Sequence, residues 1–505
     1  MKYWLGLDIG TGGSRALLVD EKGKIAAGVT AAHEEMRMER PLWAEQRPED
    51  WWDASQQAIR GVLAKAEASG DDVAGVSFSG QMHGLVLLDE ADQVIRPALI
   101  WCDQRSQDQV DWMNQTAGSR MILEQTANPA LTGFTAPKLL WVRDHDPASY
   151  ERTRTMLLPK DYVRFMLTGE RGQDVSDASG TALYDVVHRR WADPLVEKLG
   201  IDRSILPPVA ESSDVVGQIS ASAAAATGLK AGTPVVAGAG DQAAGAVGNG
   251  IVSSGVVSCT IGTSGVVFAH MDEVAYDPGG RVHTFCHAVR DKWHVMGVTQ
   301  GAGLSLQWFR NQLAGDAVAQ AADQSVDPYD LLMDEAAQVP AGSEGLYWMP
   351  YLMGERTPHL DAQARGGWIG LTAAHTRGHM VRSLIEGVSY SLNDCLQIVE
   401  SLGVSVSEVR ASGGGAKSPF WREILAGVFG KTITTLETQE GSAYGAALLA
   451  MTGAGPYASV EEACSATIQE ANRVEPPAAL TDVYGRGYPV FQSLYPALKS
   501  IYPKL

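Results

Sequence analysis

The sequence predicts an α/β protein made of two similar domains that face each other. Three observations carry this. Short β-type runs alternate with helical patterns throughout, the mark of α/β architecture. One strand–turn–strand unit recurs half a chain apart. The 505 residues leave room for two or more domains, each with a large core of its own, yet no flexible linker or low-complexity stretch parts them. The junction is therefore expected to be a packed hinge.

Taken in order, the β-type runs are Tyr3–Ile9, Ala16–Val19, Val73–Ser77, Pro234–Ala237, Gly255–Ile261 and Val266–Ala269. Between them lie helical patterns at Pro48–Ala68, Gly378–Ser401 and Pro419–Val428. Trp51 and Trp52 fall inside the first helical pattern and are expected in the core. The recurring unit is Ile9-Gly10-Thr11-Gly12-Gly13, matched by Ile261-Gly262-Thr263-Ser264-Gly265 at an offset of 252 residues.

Composition excludes several functions. Forty Lys+Arg against 59 Asp+Glu give a net charge of −19. Such a chain lacks the clustered positive charge that nucleic acid requires. It also lacks a polybasic membrane anchor. Cys102, Cys259, Cys286, Cys395 and Cys464 are scattered and form no CxxC pair. They imply buried thiols in a reducing, cytoplasmic setting. The N-terminus reaches Asp8 too soon for a signal peptide. The long weakly charged stretch from Ala231 to Met271 holds nine glycines, so it is no membrane span.

The two Gly/Thr/Ser turns let backbone N–H groups converge on one point. From opposed domains they could clasp a polyphosphate. In so acidic a protein only local dipoles can attract an anion. Arg15 adds one positive charge beside the first turn. Asp8 precedes that turn, where the second has Thr260. A carboxylate there repels phosphate unless a cation intervenes. Asp8 thus suggests Mg²⁺ held through water, or else it caps the turn. Gly430-Lys431-Thr432 lacks the first glycine of a P-loop. Gly238–Ala243 would turn Asp241 on a pyrophosphate, so it is not a dinucleotide fingerprint. Ser412–Ser418 (SGGGAKS) could let a flat base approach the backbone, or be a plain turn.

Asp241 is the one charged residue between Ala231 and Met271, with neutral His270 set aside. It follows a β run and precedes a small-residue helix, so it could be an N-cap. The apolar setting makes ionisation costly, and a strand's carboxyl edge is a usual place for chemistry. The balance favours function. In Gly80-Gln81-Met82-His83-Gly84, Gln81 and His83 could bind a polyol and Met82 pack on its carbons; His83 could equally be a core histidine. Trp101-Cys102-Asp103-Gln104-Arg105 is a further polar cluster or a plain Asp–Arg ion pair. His283, Cys286 and His287 lack a second ligand pair for zinc and read as packing.

Together these motifs resemble the FGGY family of carbohydrate kinases over nearly the whole chain. DIGTGGSR (8–15) is similar to its first phosphate motif, IGTSG (261–265) to its second and GGGAKS (413–418) to its adenosine motif. GFTAPKLLWVRDH (133–145) and Gly366–Glu386 resemble two further family patterns. The resemblance implies two actin-like, ribonuclease H-like domains, residues 1–248 and 249–505, with a catalytic cleft between them. It implies ATP contacts from Thr11, Gly12, Gly13, Arg15, Gly262, Thr263, Gly303, Gln307, Gly413, Gly414 and Gly415. Asp241 would be the base and Asp8 would orient Mg²⁺ water ligands. Met82, His83, Trp101, Asp103, Asp241 and Gln242 would face the sugar.

GQMHG (80–84), LLPKDYVRFMLTGE (157–170), GAGDQAAGAVG (238–248) and LMGERTPH (352–359) are similar to members acting on D-xylulose. The implied reaction moves the γ-phosphoryl of ATP to the sugar's terminal hydroxyl, giving D-xylulose 5-phosphate. Rival acceptors are another ketopentose, a polyol or a deoxy-ketose. Two departures stand out: Gln242 where many relatives carry Asn, and Tyr444 where Leu is common. A sugar sensor, filament or chaperone on the same fold is disfavoured by the presence of both Asp8 and Asp241. Dimers occur among relatives, so a homodimer is compatible with the resemblance. No interface is readable.

Overall fold

The computed structural model describes residues 1–438 and 440–505. It holds two large mixed sheets. In the first, the order is Val215–Gln218, Pro234–Val236, Val73–Gly80, Tyr3–Ile9, Gly13–Asp20, Ile25–Ala32. In the second it is Glu470–Val474, Thr432–Leu436, Val406–Ser412, Gly255–Ile261, Gly265–Met271, Trp293–Thr299, His283–Cys286. Tyr3–Ile9 runs antiparallel to Gly13–Asp20 and parallel to Val73–Gly80. Gly255–Ile261 stands in the same relations to Gly265–Met271 and Val406–Ser412. Six strands thus correspond in order and direction. The five-residue repeat marks a duplicated fold.

Register carries the correspondence to single residues. Asp8 pairs with Ser79 in the first sheet, and Thr260 with Ser412 in the second. The turns differ by one residue. Ile9 is opposite Ser14, whereas Ile261 is opposite Gly265.

Each sheet packs a long helix on one face. Pro48–Lys65 opens with Pro at its first turn and two acids, Glu49 and Asp50, which suit the positive helix end. It buries Trp51, Ala58, Ile59 and Val62 against the first sheet, while Trp52 is half-buried. Arg377–Ser401 begins at a Thr376–His379 capping box and is the central helix of the second domain.

Two small-residue helices join the domains. Asp241–Gly248 follows the first sheet and Gly441–Gly453 the second, and they cross each other. A Cβ on Gly445 would lie 1.8 Å from the Ala244 carbonyl oxygen, and one on Gly248 would lie 2.0 Å from that of Gly441. Glycine here permits backbone-to-backbone approach. The seam around them is apolar, with Trp4, Leu17, Ala244, Val247, Ala447 and Leu448 buried together. The crossing fixes where Asp241, the first residue of its helix, points.

Gly430 closes Pro419–Phe429 in the left-handed region (φ 62°), and Thr432 opens a strand. This is helix-capping geometry, not a P-loop. Cys259, Cys286, Cys395 and Cys464 are buried and unpaired; Cys102 is half-buried. Among the described residues no helix is long and apolar enough to cross a membrane.

Candidate active site

Asp241 sits where a strand end becomes a helix. Gly240 occupies the N-cap position, and no side chain caps this helix. The capping alternative for Asp241 is therefore not what the fold uses. Its side chain accepts from Gln242 Nε2, at 3.3 Å. Its main-chain carbonyl accepts from Ser442 Oγ at 3.0 Å, tying it to the crossing helix. Burial, then the Asp8 carboxylate, pushes its pKa up to about 7.

Asp8 is also raised, by burial, against the pull of Ser79 and Arg15. Among the described residues its Oδ1 is buried with no hydrogen-bond partner. Two neighbouring carboxylates, one with an orphaned oxygen, form a donor set that suits a hard cation.

The first turn is braced from beneath. Gln46 Nε2 donates to the Thr11 carbonyl at 2.7 Å, and the Gln81 amide donates to that of Ile9 at 2.8 Å. Trp101 is half-exposed and donates from Nε1 to Thr11 Oγ1 at 3.0 Å. A Cβ on Gly12 would meet no protein atom. Gly13 opens the returning strand, and its Cβ would meet the Ala31 carbonyl oxygen at 2.7 Å. Arg15 pairs with Glu440 and donates from Nη1 to Thr30 Oγ1.

The second turn borders a cavity of about 850 Å³. Gly262, Thr263, Gly303, Gln307, Gly414 and Gly415 line it together, although they come from three separate stretches of chain. Gly413 (φ 82°) lets the glycine turn lie against the Ile261 backbone, where a Cβ would sit 2.6 Å from its carbonyl oxygen. A second cavity of about 840 Å³ shares Gly414 and Lys417 with the first. Gly413, Asp241 and Gln242 also line it, so it runs from the glycine turn to the isolated carboxylate.

Met82 packs against Gly240, the residue before Asp241, and His83 follows Met82 in the chain. A Cβ on Gly240 would meet Met82 Cγ at 2.8 Å. His83 has a left-handed backbone (φ 68°). Its Nδ1 bonds the Gly180 carbonyl at 2.7 Å, and its ring packs 4.7 Å from Phe134. Burial and the Lys138 cation push its pKa down to about 3, so the ring is neutral. With Nδ1 donating to a carbonyl, Nε2 is left as an acceptor.

The N-terminal domain of the FGGY family of carbohydrate kinases matches residues 3–248, and its C-terminal domain matches residues 257–454. The chain belongs to the FGGY family of carbohydrate kinases. It is a phosphotransferase with an alcohol acceptor and ATP as a substrate. A xylulose kinase of Bacillus subtilis (strain 168) is 39% identical over 495 residues, 98% of this chain and 97% of that one. A solved xyloylose kinase from Brucella ovis superposes with a TM-score of 0.90 at 35% identity, covering 99% of this chain and 100% of the other. A gluconate kinase structure from Lactobacillus acidophilus reaches 0.91 at 27% identity, with 100% and 99% covered. The two actin-like domains expected from the sequence are thus present.

Measured against the FGGY resemblance, some expected contacts look different. Asp103 is fully buried. Its carboxylate accepts from the Ala44 amide at 2.7 Å and from Arg105 Nη2 at 2.6 Å. The ion-pair alternative is what the structure holds, and Asp103 braces a loop instead of facing a sugar. Gln81 likewise turns inward, donating to Gln46 Oε1 at 2.9 Å. His283 and His287 are buried, bonded to Asn128 Oδ1 and the Ile251 carbonyl, and Cys286 is buried beside them. Among the described residues no cluster could hold a metal through three or more His, Cys, Asp or Glu.

Other residues also build the site. Lys138 is buried and donates to the His83 carbonyl at 2.9 Å and to that of Gly133 at 2.7 Å. It falls inside the 133–145 family pattern, which supplied the signal but not the role. Tyr329, Asp330 and Met333, on Pro328–Ala337, line the 850 Å³ cavity, and no motif pointed to them. Tyr444, the departure from Leu, donates its hydroxyl to the Gly23 carbonyl at 2.9 Å, fastening the crossing helix to the first sheet.

Proposed function

We propose that this kinase transfers the γ-phosphoryl of ATP to the terminal hydroxyl of D-xylulose, giving D-xylulose 5-phosphate. The observation that carries the substrate is the full-length likeness to a xylulose kinase at 39% identity. Asp241 accepts the hydroxyl proton. Its position at the cavity wall, just after Gly240, which packs on Met82, supports that role, as does a pKa raised to about 7. Phosphoryl transfer asks the protein mainly for alignment and charge neutralisation, so a moderately weak base suffices.

Mg²⁺, held through water by Asp8, would neutralise phosphate charge. Thr11, Gly12, Gly13 and Arg15 contact phosphates from one domain, Gly262 and Thr263 from the other. Gly303, Gln307 and the turn Gly413–Gly415 hold the rest of the nucleotide. Met82, neutral His83, Gln242 and Trp101 receive the sugar, with His83 Nε2 accepting from a hydroxyl. Closure of the domains excludes water, keeping ATP hydrolysis low without sugar.

Gluconate is the second reading, because the gluconate kinase fold superposes as well as the xyloylose kinase does. Fold alone does not choose between them. The test compares kcat/KM for D-xylulose, D-ribulose, L-ribulose, glycerol and gluconate. D-Xylulose is expected to lead. A higher value for any other acceptor moves the substrate and leaves the kinase.

A further inference from the structure

The segment 174–180 (DVSDASG) carries none of the phosphate motifs, yet it touches the site repeatedly. Ser176 Oγ accepts from the Gly240 amide at 3.1 Å, one residue before Asp241. The Gly180 carbonyl holds His83 Nδ1 at 2.7 Å. A Cβ on Gly180 would lie 2.6 Å from the His83 ring and 3.1 Å from Met82 Cε. Ser179 Oγ accepts from the Cys286 amide at 3.1 Å, reaching the second domain. One short segment thus touches the residue before the expected base, two of the expected sugar contacts (Met82 and His83) and a strand of the opposite sheet.

Its own anchor is ionic and fully buried. Asp174 Oδ2 accepts from the Ser176 amide at 2.8 Å, the Ser176 hydroxyl at 2.6 Å and the Ser212 hydroxyl at 2.8 Å. Asp174 Oδ1 lies 2.7 Å from Lys160 Nζ. Lys160 also meets Asp161 at 2.7 Å and Asp177 at 3.4 Å. Burial alone would depress Lys160, but these three carboxylates hold its pKa raised. The Ser176 hydroxyl donates to Asp174 Oδ2, and an Oγ lone pair is left for the Gly240 amide. Arg164 Nη1 takes the Ala237 carbonyl at 3.0 Å, steadying the same stretch from its other end. Buried ion clusters are poor sources of stability compared with apolar packing. This one is spent on the residues around the base.

We propose that the Lys160–Asp174–Ser176 relay is a positioning device for phosphoryl transfer: it fixes the Ala239–Gly240 peptide, next to Asp241, and, through Gly180, the His83 ring, so that base and acceptor stay in register. The proposal rests on the reading of Asp241 as base. Ser176, Asp174 and Lys160 are positioning residues, acting through groups that meet the substrate.

The test uses the full-length enzyme with Ser176→Ala, Ser176→Cys, Ser176→Thr and Asp241→Asn. It records kcat, KM for each substrate, ADP affinity and the thermal midpoint. Ser176→Ala should lower kcat about 10–100-fold, the cost of a small misplacement of a catalytic group. KM for Mg-ATP and ADP affinity should hold. Ser176→Thr, which keeps the hydroxyl, should recover most of the loss, and Ser176→Cys, a weaker acceptor, should fall between. Ranking by hydroxyl, with ADP affinity intact, is a pattern that loss of folding cannot produce. Wild-type kcat in Ser176→Ala, or a kcat that follows the thermal midpoint alone across the series, overturns the proposal. If Asp241→Asn is inactive while Ser176→Ala is normal, the relay alone is wrong. If Asp241→Asn keeps turnover, the base assignment fails and the relay falls with it.

Discussion

The guanidinium of Arg15 and the carboxylate of Glu440 form a two-pronged ion pair, Nε to Oε2 at 2.6 Å and Nη2 to Oε1 at 2.5 Å, across 425 residues of sequence. It ties the strand leaving the first turn to the start of the Gly441–Gly453 helix. The positive charge expected beside a phosphate is therefore shared with an acid of the other domain.

This sets a balance that nucleotide must enter. Glu440→Gln should free Arg15 and tighten Mg-ADP binding about 2–5-fold, the worth of a part-exposed pair. Arg15→Ala should weaken it. Calorimetry on both variants reads the effect. Equal affinity in wild type and both variants would remove Arg15 from the phosphate site.

Asp241 gives a pH dependence with a definite sign. Its folded pKa is raised from 3.8 to about 7. The base form is lost on acidification, so kcat/KM should fall about tenfold per unit below pH 7. Stability runs the other way. A raised carboxylate favours the fold below its unfolded pKa, and that benefit disappears as pH rises through 7. Without Mg²⁺ or nucleotide, Asp241→Asn should thus be more stable than wild type at pH 8, by about 1–4 kcal/mol. The difference should shrink towards zero at pH 4. Urea titrations at both pH values check it; a destabilised variant at pH 8 would mean the carboxylate is well paired.

The helix crossing predicts a steep steric penalty. Gly445→Ala places a methyl 1.8 Å from the Ala244 carbonyl oxygen, and backbone cannot yield as a side chain does. A loss of at least about 1–3 kcal/mol is expected, against little change for Gly485→Ala, where a Cβ would meet nothing. Thermal midpoints of the two variants decide it.

Much of this was legible in the sequence because local signals and tertiary demands agree. Tyr3–Ile9 and Gly255–Ile261 form strands with the bounds that their β-type runs suggest, and Pro48–Lys65 begins at its predicted proline. The repeat IGTxG exposed the duplication because a tight turn between paired strands tolerates few residue types. Asp241 stood out because a single charge in an apolar stretch is costly. Asp103 and Gln81 misled for the same reason in reverse: polar residues near a site also brace loops, and only their buried partners, Arg105 and Gln46, reveal it. Arg15–Glu440 and Ser176–Gly240 were invisible, since contacts 425 and 64 residues apart leave no local pattern.

ADP release from Mg-ATP by wild type and Asp241→Ala, with and without D-xylulose, tests most directly whether Asp241 is the base of a D-xylulose kinase. Strong stimulation by D-xylulose is expected in the wild type and a loss of about 10²–10⁴-fold in the variant. ADP release equally fast without sugar, or undiminished in Asp241→Ala, would contradict that assignment.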